Sequence, residues 1–256
     1  MLIYYTIVFF IIGTVLTSFY NVVGYRLPKG ESIIYPPSHC PKCNHKLRPL
    51  ELIPILSFVI QKGRCKNCNQ KISWFYPIFE LAGGILFALA YLSFGMSLDL
   101  IIALTFISMA LIIIVSDYHY LIIPDEVIIT FVILFILEIV LIRGFHALLY
   151  SILSAFIAFS VMFLLKKLGD FLFKKESMGG GDIKLMFIFG LLFGYPLALF
   201  SIFLGALIGL PISILIMIKK STHIVPFGPF LCLAGIMILL TGIDNGAIIY
   251  LLTNGI

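Results

Sequence analysis

The sequence predicts an all-α fold, a polytopic membrane bundle of about eight transmembrane helices with one small cytoplasmic four-cysteine loop. Three observations lead there. The composition is 61% hydrophobic and only 11% charged, whereas soluble chains carry about 25% charged residues. Apolar runs of about 20 residues, the length that crosses a bilayer as helix, recur almost end to end. These runs are apolar all round rather than along one stripe, which excludes a soluble helical protein.

The first run covers 2–24. It lacks a basic start and a small-residue cleavage site, so it reads as a retained helix and not a signal peptide. A polar stretch rich in Pro and Cys follows, from Arg26 to about Trp74. Further runs fall at 76–95, 98–116, 126–142 and 147–165. A basic, glycine-containing loop is expected from Lys166 to Asp182. The apolar stretch 183–218 is too long for one helix and divides around Gly194–Pro196. The last run occupies 229–252, and no internal repeat or low-complexity tract stands out.

Orientation follows from the Lys and Arg residues, which concentrate in short cytoplasmic loops. The first loop holds nine: Arg26, Lys29, Lys42, Lys46, Arg48, Lys62, Arg64, Lys66 and Lys71. With that loop cytoplasmic, alternate loops place Lys166, Lys167, Lys174, Lys175, Lys184, Lys219 and Lys220 on the same side. Only Arg143 then falls outside, so sixteen of seventeen basic residues share one side. Both termini are expected outside. The net charge of +5 is thus a topology signal and a contact for anionic lipid, not the mark of a nucleic-acid partner.

This topology brings two aspartates to one cytoplasmic edge. Asp117 ends the third run and Asp182 opens the sixth, 65 positions later. Ionisable residues at membrane depth are costly and mark function by default. Two carboxyls held together cannot both ionise easily, so one keeps a proton. The charged member can activate a water and the neutral one can protonate an amide. The pair titrates as a unit, so neither role is assigned to one residue. Gly179, Gly180 and Gly181 precede Asp182, and a backbone without Cβ lets an extended peptide approach closely. The plain alternative is a loop with Asp182 capping the next helix. A phosphate cradle is disfavoured, because an acid stands where the anion would sit and the P-loop Lys-Ser/Thr is missing. Asp125, after Pro124, reads chiefly as a helix N-cap, and it is also a candidate for substrate approach. His119 stands two residues from Asp117 and reads as solvated or as a tuner of the pair.

The first loop holds Cys40-Pro41-Lys42-Cys43 and Cys65-Lys66-Asn67-Cys68, with 21 residues between the pairs. That spacing is the signature of a structural zinc site with four thiolates and no open position. Two disulfides are the competing reading, disfavoured by a reducing cytoplasm. His39 and His45 read as surface residues or substitute ligands. Cys232 lies in the last run and reads as core. Two further acids sit inside runs. Glu80, after Tyr76-Pro77, is a functional candidate for substrate approach, and Glu138 is expected either to serve function or to pair with Arg143.

Taken together, the chain resembles the bacterial type IV prepilin peptidases, the leader peptidase/N-methyltransferases of the GxGD aspartic class. The matching pieces are Ser18-Phe19-Tyr20-Asn21-Val22-Val23 with Arg26-Leu27-Pro28, and His39 to Cys43. They continue through Glu51-Leu52-Ile53-Pro54, Gly63 to Cys68, and Tyr76-Pro77 with Glu80. Asp117 with Ile123-Pro124-Asp125, and Met178 to Leu185, complete the set. Tyr20 and Gly24 depart from it in a minor way. The resemblance implies cleavage of prepilins or pseudopilins after a leader glycine at the cytoplasmic face, with Asp117 and Asp182 catalytic. It also implies N-methylation of the new amino terminus with S-adenosylmethionine, associated with residues 1–75, while 76–256 form the peptidase bundle. No cofactor fingerprint is visible in the sequence. A peptidase without methyltransferase activity and a proton- or ion-coupled transporter are the other readings. The transporter leaves the cysteine pairs and the Gly-Gly-Gly-Asp run unexplained.

Overall fold

Runs of Leu, Ile, Val, Phe and Ala propagate as helix until a glycine or proline breaks them, and the breakers set the architecture here. A computed structural model describes residues 1–176, 178–220 and 225–246. Its helices are α1 (Leu2–Arg26), α2 (Leu56–Ile60), α3 (Phe75–Phe94), α4 (Leu98–Tyr120) and α5 (Asp125–Arg143). They continue with α6 (Phe145–Phe173), α7 (Gly180–Phe193), α8 (Tyr195–Lys220) and α9 (Gly228–Thr241). Among the described residues there is no strand, only two isolated bridges in the cysteine loop.

Apart from the five-residue α2, each helix corresponds to one expected run. Five of them, α1, α3, α4, α6 and α8, are long and apolar enough to cross a membrane. α5 carries Asp125, Glu126, Glu138 and Arg143 within 19 residues. α7 and α9 have 14 residues each, about 21 Å of helix, short of a hydrocarbon core of about 30 Å.

Two expected boundaries are corrected. The loop placed at Lys166 begins only after Phe173, because Lys166, Lys167, Leu168 and Leu172 are good helix formers and the single Gly169 costs only about 1 kcal/mol, too little to end the helix. α6 therefore runs for 29 residues, about 43 Å, and projects beyond a single bilayer core. The last helix, expected to reach 252, stops at Thr241, where Gly242 takes a left-handed φ of +66°. Residues 247–252 of that expected run lie outside the described residues. The division of 183–218 falls at Gly194, whose φ is +81°. Asn245 fastens that corner, donating to the Phe193 carbonyl at 2.8 Å and accepting from the Leu197 N–H at 3.3 Å.

The chain forms two compact units, Met1–Leu100 and Ile101–Ile256. In the first, α1 and α3 pack antiparallel through small residues. A Cβ on Gly83 would lie 1.8 Å from Thr17 Oγ1, and one on Gly13 would lie 2.7 Å from Phe87 Cβ. Such close approach is how helices associate where no hydrophobic effect drives them together. In the second unit α7 is the centre, packed by α5, α6, α8 and α9. Gly190 of α7 touches the backbone of Ser154 and Ala155 in α6, and Phe106 of α4 packs edge-on against Phe189 and Phe193 of α7.

Candidate active site and metal-binding loop

The residues around Asp117 explain how its carboxyl is held. Asp117 lies in the last turn of α4, and Leu121, at φ +56°, turns the chain out of the helix. Ser116 Oγ donates to the Ile122 carbonyl at 2.5 Å, folding the connection back against the helix end. Pro124 then caps α5 in extended backbone, so Asp125 is the first residue of α5 rather than its cap. Asp125 instead ion-pairs with Lys184 of α7 at 2.5 Å. The result is a wedge, Ile123, buried at the corner.

Two helix N-termini meet that wedge. A Cβ on Gly181 of α7 would lie 2.8 Å from Ile123 Cβ, and one on Gly228 of α9 would lie 3.2 Å from Ile123 Cδ1. The Gly228 N–H donates to Asp117 Oδ2 at 3.0 Å. Asp182 is the third residue of α7, after an extended Gly179 that caps the helix without a side chain. Asp117 and Asp182 are only 6% and 7% exposed, and the charge of Asp117 reaches Asp182, as does that of Lys166. The structure thus draws both aspartates to one corner of the second unit, each at the positive end of a helix. Backbone N–H groups there favour negative charge.

The three glycines have different surroundings. Gly181 has no room for a side chain, Gly180 faces open space, and Gly179 lies near Asp182 Oδ2 at 3.7 Å from an added Cβ. The first is a packing contact, and the other two leave an open strip of backbone beside the carboxyl. His119 is exposed at the α4 terminus. Glu138 accepts the Thr105 hydroxyl at 2.6 Å, a contact between α4 and α5 that the sequence did not suggest. Cys232 is fully buried.

Sequence reasoning missed Gly228. Its signal was present in Pro226-Phe227-Gly228-Pro229, a breaker cluster opening an apolar run. Only the fold brings that cluster against Asp117, 111 positions earlier.

In the first unit, the cysteine loop contains a local repeat that the sequence reading passed over. His39-Cys40-Pro41-Lys42-Cys43-Asn44-His45-Lys46 and Arg64-Cys65-Lys66-Asn67-Cys68-Asn69-Gln70-Lys71 fold alike. In each, the first Cys N–H bonds a carbonyl five residues on, at 3.0 and 2.9 Å. Asn44 and Asn69 turn the chain at φ +54° and +56°. The bridges His39–Lys46 and Arg64–Lys71 close the two knuckles. The four sulfurs lie within 4.8 Å of one another and all are free thiols. The Cys40–Cys68 and Cys43–Cys65 separations are 3.8 and 3.9 Å. A disulfide needs about 2.05 Å. Tetrahedral thiolates at about 2.3 Å from one ion stand about 3.8 Å apart, so the donor set fits a single metal ion. The Cys43 and Lys42 N–H groups lower the Cys40 thiol to about 6, and the His45 N–H lowers Cys43. Cys68 is pushed the other way, to about 11, by burial and by the neighbouring cysteines, so two of the four favour the thiolate that a metal needs before any ion binds.

Neither histidine is a ligand. His39 Nδ1 contacts the Pro37 carbonyl and His45 Nε2 contacts Glu51 Oε2 at 3.2 Å. Buried Glu51 also accepts the Arg48 N–H at 2.8 Å, which holds its carboxyl below the usual range, with His45 adding to the effect. Glu80, buried in α3, accepts the Ile55 N–H at 2.8 Å and the Ser18 hydroxyl. It ties the loop to α3 and α1, and Ile55 is held at φ +61°.

Known proteins match both units. The bacterial peptidase A24 N-terminal domain matches residues 11–94, and the type IV leader peptidase family matches residues 104–214. A prepilin leader peptidase/N-methyltransferase of Bacillus subtilis is 37% identical over 239 residues, covering 92% of this chain and 94% of the relative. The chain belongs to the type IV leader peptidase family. A relative of the same description from Neisseria gonorrhoeae is 32% identical, covering 88% of this chain and 86% of its own length. One from Pseudomonas aeruginosa is 29% identical, covering 91% and 89%. No solved structure matches the chain. The family's two matched regions meet between residues 94 and 104, where the compact units also divide.

Proposed function

We propose that this protein cleaves the leader peptide from type IV prepilins or pseudopilins with Asp117 and Asp182, and then N-methylates the new amino terminus. The observation that carries the peptidase reading is the meeting of two buried carboxyls at one corner, through Ile123 and Gly228. Relatives named prepilin leader peptidase/N-methyltransferase support the substrate class.

The chemistry follows from the setting. Burial and mutual repulsion leave the pair sharing one proton. The ionised carboxylate takes a proton from water, whose oxygen attacks the scissile carbonyl. The protonated carboxyl then donates to the leaving amine. The Gly228 N–H keeps one Asp117 oxygen oriented throughout. The substrate backbone lies along Gly179 and Gly180, where no side chain intervenes. Its apolar stem packs among the membrane helices, while its leader stays on the cytoplasmic side with the basic loops. Asp125, paired with Lys184, flanks this approach.

Zinc is the ion that the four thiolates of Cys40, Cys43, Cys65 and Cys68 fit best, in a closed structural role that leaves no catalytic position. S-adenosylmethionine supplies an electrophilic methyl group, and the acceptor is the amine released by cleavage. No residues are assigned to hold that donor. We place methylation with residues 1–75 and proteolysis with 76–256. The loop and the dyad lie on the cytoplasmic side of the inner membrane, with eight spans, the 14-residue α7 and α9 being buried among the longer helices, and both termini outside.

The test is cleavage of a prepilin by the purified protein, with the product's amino terminus read by mass spectrometry. Wild type yields a shortened, methylated pilin. Asp117→Asn and Asp182→Asn each abolish cleavage while the protein still inserts. Full cleavage by either variant would overturn the dyad. A shortened but unmodified amino terminus would remove the methyltransferase half alone.

A further inference from the structure

One cleft in the first unit has a composition that neither the dyad nor the metal loop explains. It lies beside the second knuckle and encloses about 500 Å³ between Phe58, Val59, Lys62, Gly63, Arg64, Lys71, Ile72 and Trp74. Three cations and no acid line it. None of the three has an ion-pair partner among the described residues. They are gathered by the fold. The Arg64–Lys71 bridge sets two of them side by side on one face, and a left-handed turn at Lys62 and Gly63 brings the third round. Phe58 and Trp74 form the apolar wall, with ring centroids 4.7 Å apart.

The surroundings fix where this cleft stands. Trp74 is the N-cap of α3, and α3 is one of the helices able to cross a membrane. With the 20 residues of α3 spanning the core at about 1.5 Å of rise each, Trp74 at its end would fall in the headgroup layer, about 5–8 Å deep on each side. Leu56, Val59, Ile60 and Trp74 are 58%, 64%, 69% and 69% exposed, a run of greasy side chains at the rim of a basic cleft. Tryptophan and aliphatic groups beside unpaired Lys and Arg suit a surface that is apolar below and anionic above. An acidic peptide would satisfy the cations but not the apolar rim. The methyl donor does not suit the cleft, because its sulfonium and ammonium outweigh its carboxylate and three cations would repel it.

We propose that this cleft binds the phosphate headgroup of an anionic membrane lipid, with Lys62, Arg64 and Lys71 around the phosphate and Trp74 in the acyl-headgroup boundary. The cysteine knuckles then rest on the membrane surface through a bound lipid as well as through the Glu80 contact. The inference depends on the membrane setting of α3 and not on the peptidase or methyltransferase reading, so either can fail without the other.

Trp74 is the only tryptophan in the chain, so its fluorescence reports on the cleft directly. The whole protein in neutral detergent is titrated with short-chain phosphatidylglycerol, with phosphatidylcholine, with inorganic phosphate and with an acidic peptide. Phosphatidylglycerol is expected to give a saturable blue shift, with phosphatidylcholine at least tenfold weaker. Each cation near an anionic surface contributes about fivefold, so Lys62→Gln, Arg64→Gln and Lys71→Gln together weaken the half-saturation about a hundredfold. Should the triple variant not fold, Lys71→Gln alone is expected to cost about fivefold. The wild-type midpoint should also weaken steeply with salt, as exposed charges are screened. Equal response to the two lipids, a salt-independent midpoint, or unaltered binding by a folded variant would overturn the proposal. Saturation by phosphate or by the peptide at concentrations no higher than the lipid would also overturn it, by assigning the cleft to a free anion or to a protein segment.

Discussion

Gly228 has no room for a side chain. A Cβ there would lie 2.6 Å from Asp117 Oδ2, so Gly228→Ala must push the carboxyl aside. Misplacement of a catalytic group by about 1 Å costs on the order of a hundredfold. We expect Gly228→Ala to cut prepilin cleavage by about that factor while protein levels stay near wild type, as measured by initial rates against immunoblot. Wild-type rates would show that the Gly228–Asp117 contact does not position the dyad. Glu51 is the residue to watch as pH falls. Its carboxyl is depressed in the folded loop by the Arg48 N–H, with His45 adding. A depressed acid stabilises the fold above its ordinary value of about 4.3, and that stabilisation is lost as pH falls through the lower folded value. Thermal unfolding of the metal-loaded protein should therefore weaken below about pH 4, and Glu51→Gln should flatten that acid limb.

At the scale of elements, the α1–α3 pair and the centrality of α7 carry distinct expectations. Gly83 sits so close to Thr17 that any side chain forces the two backbones apart. Gly83→Leu is expected to destabilise the first unit by about 1–3 kcal/mol, the usual cost of overpacking, seen as a lower unfolding midpoint in detergent. The size of that loss measures how much of the pair's association rests on close backbone approach. At the α7 N-terminus the same logic holds for Gly181 against Ile123. Gly181→Ala should lower both stability and cleavage, whereas Gly180→Ala, facing open space, should leave stability unchanged. Equal stability losses for the two would remove the distinction between packing and open glycine.

Across the whole chain, the four-cysteine loop is held by its two bridges, by Glu51 and by the Glu80–Ile55 contact, with its four sulfurs gathered at the centre. Of its apolar side chains other than the cysteines only Phe58 is buried, so an ion held by the four thiolates would supply much of its folding free energy. Purified protein should contain about one zinc per chain, lost when Cys40 and Cys43 become Ser. Stripping the ion with a chelator should make the loop susceptible to protease within 30–74, with the membrane helices still intact. Metal-free protein of unchanged protease resistance would show that the loop folds without an ion.

The membrane class and the order of the helices are legible in the sequence alone, and so is the choice of two aspartates and four cysteines as candidates. Those conclusions rest on hydropathy, breakers and short fixed spacings, which are local and survive without coordinates. It did not determine where α6 and α9 stop, because helix formers continue past a polar boundary and a single glycine, Gly242, ends an apolar run early. It could not reveal Gly228, Ile123 or the Thr105–Glu138 bond either, since each joins residues on different helices. The same is true of the basic cleft, whose cations lie up to nine positions apart and point together only because a bridge and a left-handed turn fold them so. Composition names which groups are costly to bury. Which of them meet depends on where close-packed helices bring distant side chains into contact.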